Sequence, residues 1–170
     1  MEKLTHAIAK VLGIFLIVLM AAIVLDVTWQ VFTRFILKDP SGFTEELAGF
    51  LLIWISLLGA SYALHTKVHP GIDVLTYKLT GTKKQVVDIL IYSIILLFAV
   101  FVMVIGGMRL VNLTFTLNQI SPAMGLRMGY VYLVIPLTGI LFVYFSIDFI
   151  VKAIKEKPIT TEEHHVSAVD

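Results

Sequence analysis

VVDILIYSIILLFAVFVMVIGGMRL, residues 86–110, is apolar almost from end to end. An α-helix rises about 1.5 Å per residue and the hydrocarbon core of a bilayer is about 30 Å thick, so this stretch alone can cross a membrane. Three more runs share its character: Val11 to Leu25, Leu47 to Leu64 and Tyr130 to Val151. The segments between them are too short and too mixed in charge to fold alone. The expected fold is an all-α integral membrane protein with four transmembrane helices in one domain, residues 1–157.

Composition agrees. Of the 170 residues 58% are hydrophobic and 15% charged, against roughly 25% charged in soluble domains. A net charge of +1 provides no basic stripe for a phosphate backbone, so nucleic acid is excluded as a partner. Cysteine is absent, which removes thiolate chemistry, disulfides and thiolate-bound metals together. Lys3 and Lys10 before an apolar run containing Ala21 and Ala22 imitate a signal peptide. The run continues through Ile23, Val24 and Leu25, so a retained signal-anchor helix is expected.

Lys and Arg placement predicts the orientation, because cytoplasmic loops retain positive charge. With an even number of crossings, Lys3, Lys10, Lys67, Lys78, Lys83, Lys84, Lys152, Lys155 and Lys157 share one side and make nine of the thirteen. Arg34, Lys38 and Arg127 take the other, with Arg109 inside the third run. Both termini are therefore expected in the cytoplasm.

Helix ends follow from the breakers. Helix 1 should span about 5–37, stopped by Asp39-Pro40. Helix 2, about 43–66, begins with Glu45 and Glu46 at the positive end of its dipole and stops before Pro70-Gly71. Ile72, Leu75, Thr76 and Leu79 share one face of a short amphipathic helix expected to lie in the interface between helices 2 and 3. Lys78, Lys83 and Lys84 are its candidate lipid contacts on the inner leaflet. Helix 3 should span about 83–117, closed by Ser121-Pro122, and helix 4 about 129–154, with Pro136 able to kink it. Residues 158–170 read as a disordered cytoplasmic tail. The two halves show no repeat, which disfavours a self-contained inverted-repeat transporter.

Ionisable residues at membrane depth are costly and therefore informative. Asp26, Gln30 and Arg34 form one stripe at i, i+4, i+8, and Arg109, Asn112 and Thr116 another on helix 3. Both meet Glu45 and Glu46 at the outer level. A structural ion-pair network of Asp26, Arg34, Glu45, Glu46 and Arg109 is expected rather than an ion path, since nothing equivalent continues through the inner half. Asp88 with Lys84, and Asp148 with Lys152, read as i, i+4 interfacial pairs. Gly49, Ser56, Gly59, Ala60 and Ala63 make a small-residue face on helix 2, suited to close packing within the bundle or against a partner. Trp29, Trp54, Tyr130 and Tyr132 fit aromatic belts.

Histidines are absent from the interior of the apolar runs, which argues against a haem subunit. His65-x3-His69-x3-Asp73 imitates a metal site on a helix, but Pro70-Gly71 breaks that helix. No catalytic, cofactor-binding or metal-ligating residue is assigned.

Trp29-Gln30-Val31-Phe32-Thr33-Arg34, then Thr44-Glu45-Glu46-Leu47-Ala48 leading to Trp54 and Leu58-Gly59-Ala60, come in a telling order. His69-x2-Ile72-Asp73, Ser121-Pro122-Ala123-Met124-Gly125, Tyr130 and Ile135-Pro136 follow. In order and spacing the chain resembles the small membrane subunit, of DctQ type, of tripartite ATP-independent periplasmic (TRAP) transporters. Asp26 departs from the usual pattern and takes no role from it. The resemblance implies a bacterial inner-membrane scaffold without catalytic residues. Its partners would be a large multi-helix transport subunit, driven by sodium, and a periplasmic substrate-binding protein. The cargo would be an organic acid such as a sialic acid or a C4-dicarboxylate. Two other classes stay open: a small ion-coupled transporter complete in itself, and a membrane anchor of a redox enzyme.

Overall fold

Four helices long and apolar enough to cross a membrane, Leu4–Leu37, Gly42–His65, Gln85–Thr116 and Met128–Ile154, make up the fold. They are seen in a computed structural model that describes residues 2–38, 41–66 and 82–155. The expected interfacial helix, with Lys78, and the tail 158–170 lie outside the described residues.

The first span is α1 (Glu2–Phe32), prolonged by a π-helical turn, Thr33–Leu37, and ended by Lys38 in the left-handed conformation. The second is α2 (Gly42–His65). The third begins as α3 (Thr82–Phe98), widens into a π-helical segment over Ala99–Gly106, and finishes as α4 (Gly107–Thr116). The fourth is broken: α5 (Met128–Tyr132) and α6 (Val134–Lys155) meet at Leu133. Proline explains the break, because Pro136 has no N–H for the carbonyl of Tyr132 and its ring crowds that carbonyl. The indole N–H of Trp54 donates to the carbonyl of Val131 in the same turn, at 3.1 Å.

α1 packs on α2, α2 on α6, and the third span on the fourth. The fourth span is thus the central one, and Val134 and Phe145 on it are wholly buried. The core gathers Leu12, Leu58, Leu64, Tyr92, Val134, Phe145 and Phe149, with Tyr92 stacked on Phe149 at 4.9 Å. In lipid, apolar burial alone does not drive helices together, since acyl chains are as apolar as leucine; close fit must do it. The fit is closest between the third and fourth spans. A Cβ at Gly107 would lie 2.8 Å from Ile135 Cγ2 and 3.1 Å from Pro136 Cδ, and one at Gly139 would lie 2.8 Å from Met103 Cβ.

Candidate functional site

The turn joining the third and fourth spans is built by its backbone. Asn118 and Gly125 take positive φ, 47° and 66°, conformations that asparagine and glycine tolerate best. Met128 N–H donates to the Gln119 carbonyl (2.9 Å), Ser121 N–H to Leu126 (2.8 Å) and Gly125 N–H to Ser121 (2.9 Å). Ile120 and Arg127 pair as an antiparallel bridge. The result is a small hairpin whose tip, Ser121-Pro122-Ala123-Met124, turns three donors toward α2.

Glu46 meets those donors. Its carboxylate accepts the Ser121 hydroxyl and the N–H groups of Ala123 and Met124, both at 3.2 Å. An ionised carboxylate accepts and never donates, so it suits three converging donors. Ser121 is 2% exposed, and Met124 N–H is shared with its Oγ at 3.2 Å. Gly42 closes the contact, since a Cβ there would sit 3.7 Å from Ala123 Cβ. Thr44 is held by its own helix start, its hydroxyl donating to the Ser41 carbonyl at 2.8 Å. Glu46 and the Ser-Pro-Ala-Met turn are 75 residues apart and become one clasp.

Among the described residues, the remaining members of the expected network form no ion pair with one another. Asp26 is 9% exposed and its Oδ2 has no hydrogen-bond partner. Arg34, Glu45 and Arg109 are exposed and form no ion pair among the described residues; Lys152 does pair with Asp148, at 2.8 Å. For Asp26 and Arg109 the packing gives a cause. Asp26 lies on α1, which packs on α2, whereas Arg109 lies on α4, which packs on the fourth span. A double-mutant cycle of Asp26→Ala and Arg109→Ala on the purified chain should therefore be additive within about 0.5 kcal/mol. A larger coupling in thermal unfolding would put the two side chains in contact.

The small-residue face of α2 is not filled by the described residues. Gly49 and Ser56 are exposed, Gly59, Ala60 and Ala63 half-buried, and a Cβ at Gly49 or Gly59 would meet nothing within 4 Å. Lys83 and Lys84 belong to the start of α3, but their side chains lie outside the described residues, as do His69 and Asp73. Among the described residues no three His, Cys, Asp or Glu come together as metal ligands, and the His65 ring instead lies 5.0 Å from that of Phe145. A cavity of about 460 Å³ opens between α1, α2 and α6, lined by apolar side chains such as Leu12, Phe15, Trp54, Leu58 and Leu141. Among the described residues its lining carries no charged side chain.

Sequence comparison points the same way. Residues 23–156 match the family described as tripartite ATP-independent periplasmic transporters, DctQ component. The sialic acid TRAP transporter small permease protein SiaQ of Vibrio cholerae is 26% identical over 91% of this chain and 88% of its own length. The C4-dicarboxylate TRAP transporter small permease protein DctQ of Rhodobacter capsulatus is 28% identical over 74% of this chain and 56% of its own. The isethionate TRAP transporter permease protein DctMQ of Oleidesulfovibrio alaskensis is 28% identical over 73% of this chain but only 20% of its own length.

Proposed function

This chain belongs to the DctQ family of TRAP transporter components, and on that premise we propose that it is the scaffold of an importer of organic acids. It is a multi-pass membrane protein and a small permease subunit. In our reading it grips a large, sodium-coupled permease subunit and offers a fixed surface on which a periplasmic binding protein docks. Both termini face the cytoplasm and the clasped turn faces the periplasm, in keeping with the distribution of Lys and Arg. Lys78, Lys83 and Lys84 then lie beside the inner leaflet, where each cation contributes about 1 kcal/mol near anionic headgroups.

The observation that carries this reading is the clasp. A turn between spans is ordinarily the most mobile part of such a bundle, yet Glu46 ties this one to α2 through three donors. Rigid surfaces bind with less entropy to lose. The large-subunit partnership draws support from the isethionate relative, a permease protein of which this chain matches one fifth. The small face of α2 gives another helix room for close approach. Cargo classes are those in the names of the relatives, sialic acid and C4-dicarboxylate among them.

Reconstituted alone in liposomes, the chain should give no sodium-dependent uptake of sialic acids or C4-dicarboxylates, and uptake should require the large permease subunit as well. Uptake by the chain alone would overturn the scaffold reading in favour of a self-contained transporter.

A further inference from the structure

The polar side of α4 faces away from its own bundle. The helix buries Gly107, Val111 and Thr114, and Gly107 packs on Ile135 and Pro136 of the fourth span. Its other side is exposed and carries Arg109, Asn112 and Thr116 at helical spacing. Apolar Ile105, Met108 and Leu113, each at least half exposed, flank them. The Thr116 hydroxyl is satisfied locally by the Asn112 carbonyl at 2.8 Å. The Arg109 guanidinium and the Asn112 amide make no hydrogen bond or ion pair with a described residue.

Depth makes this costly. Gly107 meets Pro136, eight residues along the fourth span from Met128, whose N–H closes the turn onto Gln119. Eight residues of helix are about 12 Å. Arg109 is two residues nearer the turn and so lies about 9 Å below it. Charged side chains at such depth face a bundle interior or a watery cavity, very rarely lipid. Among the described residues Arg109 faces neither, which leaves room for another protein to supply the interior.

We propose that the Arg109–Asn112–Thr116 face of α4 is the seat of the large permease subunit, and that a carboxylate of that subunit pairs with Arg109. The proposal rests on the small-subunit reading and deepens it by naming the contacting face. Charge chooses the partner's chemistry: an unpaired guanidinium presents a planar fork of donors that a carboxylate matches with two oxygens. A lipid phosphate would reach Arg109 only by snorkelling. A protein surface satisfies Arg109 and Asn112 at once.

The test co-expresses this chain with the large permease subunit of the same genome and captures the complex in detergent through a tag on the large subunit. The parent chain should be captured, Arg109→Glu should reduce capture by roughly tenfold or more, and Arg109→Lys should retain part of it. Because Arg109→Glu could disturb folding, a second arm leaves Arg109 in place. The chain has no native cysteine, so Asn112→Cys accepts a single photo-crosslinker, which should join the large subunit. Failure of the parent chain to be captured would overturn the small-subunit reading itself. Capture of the parent and of Arg109→Glu alike, with the probe at 112 crosslinking only to lipid, would overturn the face and leave that reading intact.

Discussion

Gly139→Ala should destabilise the purified chain by about 2 kcal/mol or more relative to Gly59→Ala, although both put the same methyl group on a membrane helix. Helix propensity favours the two changes equally, by up to about 1 kcal/mol. Their surroundings differ. At Gly59 the new Cβ meets nothing within 4 Å, whereas at Gly139 it lies 2.8 Å from Met103 Cβ and 3.1 Å from the backbone N of Val104. Neither of those atoms can swing away on a flexible side chain, so the third and fourth spans must separate, and overpacking of this kind costs about 1–3 kcal/mol. Separation would also open the contact of Gly107 with Ile135 and Pro136. In a bilayer these contacts are the main source of helix association, so the loss is not made good by apolar surface elsewhere. Thermal unfolding in one detergent, with both variants beside the parent, decides it. Equal midpoints for Gly139→Ala and Gly59→Ala would show that the spans are not seated at Gly139.

The position of that contact was not legible in the sequence, and the reason is physical. Apolar length alone announces a membrane span, so all four runs could be read from hydropathy. A π-helical register leaves no such trace. Ala99–Gly106 is as apolar as its neighbours, and nothing in AVFVMVIG says that its hydrogen bonds widen where Met103 and Val104 approach Gly139. Small residues recur at helical spacing on α2, at Gly49, Ser56, Gly59, Ala60 and Ala63. The close approaches fall instead at Gly107, Gly129 and Gly139. The Gly106-Gly107 pair in the third run, and a glycine three residues after Pro136, were the available signals.

The polar site was half legible. Charge at membrane depth singles out Glu46 and Arg109, because insertion cost makes any such residue exceptional. Level along the bundle says nothing about which helices are neighbours. Among the described residues Asp26 sits on α1, which packs on α2, and Arg109 on α4, which packs on the fourth span. Glu46 found its partners in backbone N–H groups, which no residue-type pattern displays. Motif order carried more than charge did. Thr44-Glu45-Glu46-Leu47 and Ser121-Pro122-Ala123-Met124-Gly125 are separate marks of the family in the sequence, and the structure makes them two halves of one clasp.

In the assembled transporter, Glu46→Ala should lower binding-protein-dependent uptake by roughly tenfold, while Glu45→Ala stays near the parent. The two glutamates are sequence neighbours at the start of α2, so they share the helix dipole and the local charge. They differ in what they hold. Glu45 is exposed and makes no ion pair among the described residues; Glu46 holds the Ser121 hydroxyl and the N–H groups of Ala123 and Met124. Without its carboxylate the tip of the turn loses its anchor to α2 and, in the proposed docking role, must be ordered again each time. Fixing a single backbone residue costs about 1–2 kcal/mol, close to a factor of ten in affinity. The loss should therefore appear as a higher binding-protein concentration at half-maximal uptake, with the maximal rate less changed and with capture of the large subunit retained. Ser121→Ala should act in the same direction, and the two changes together should cost less than their sum, because they break one clasp. Additive losses, or equal effects of Glu45→Ala and Glu46→Ala, would show that the turn does not act as the docking surface.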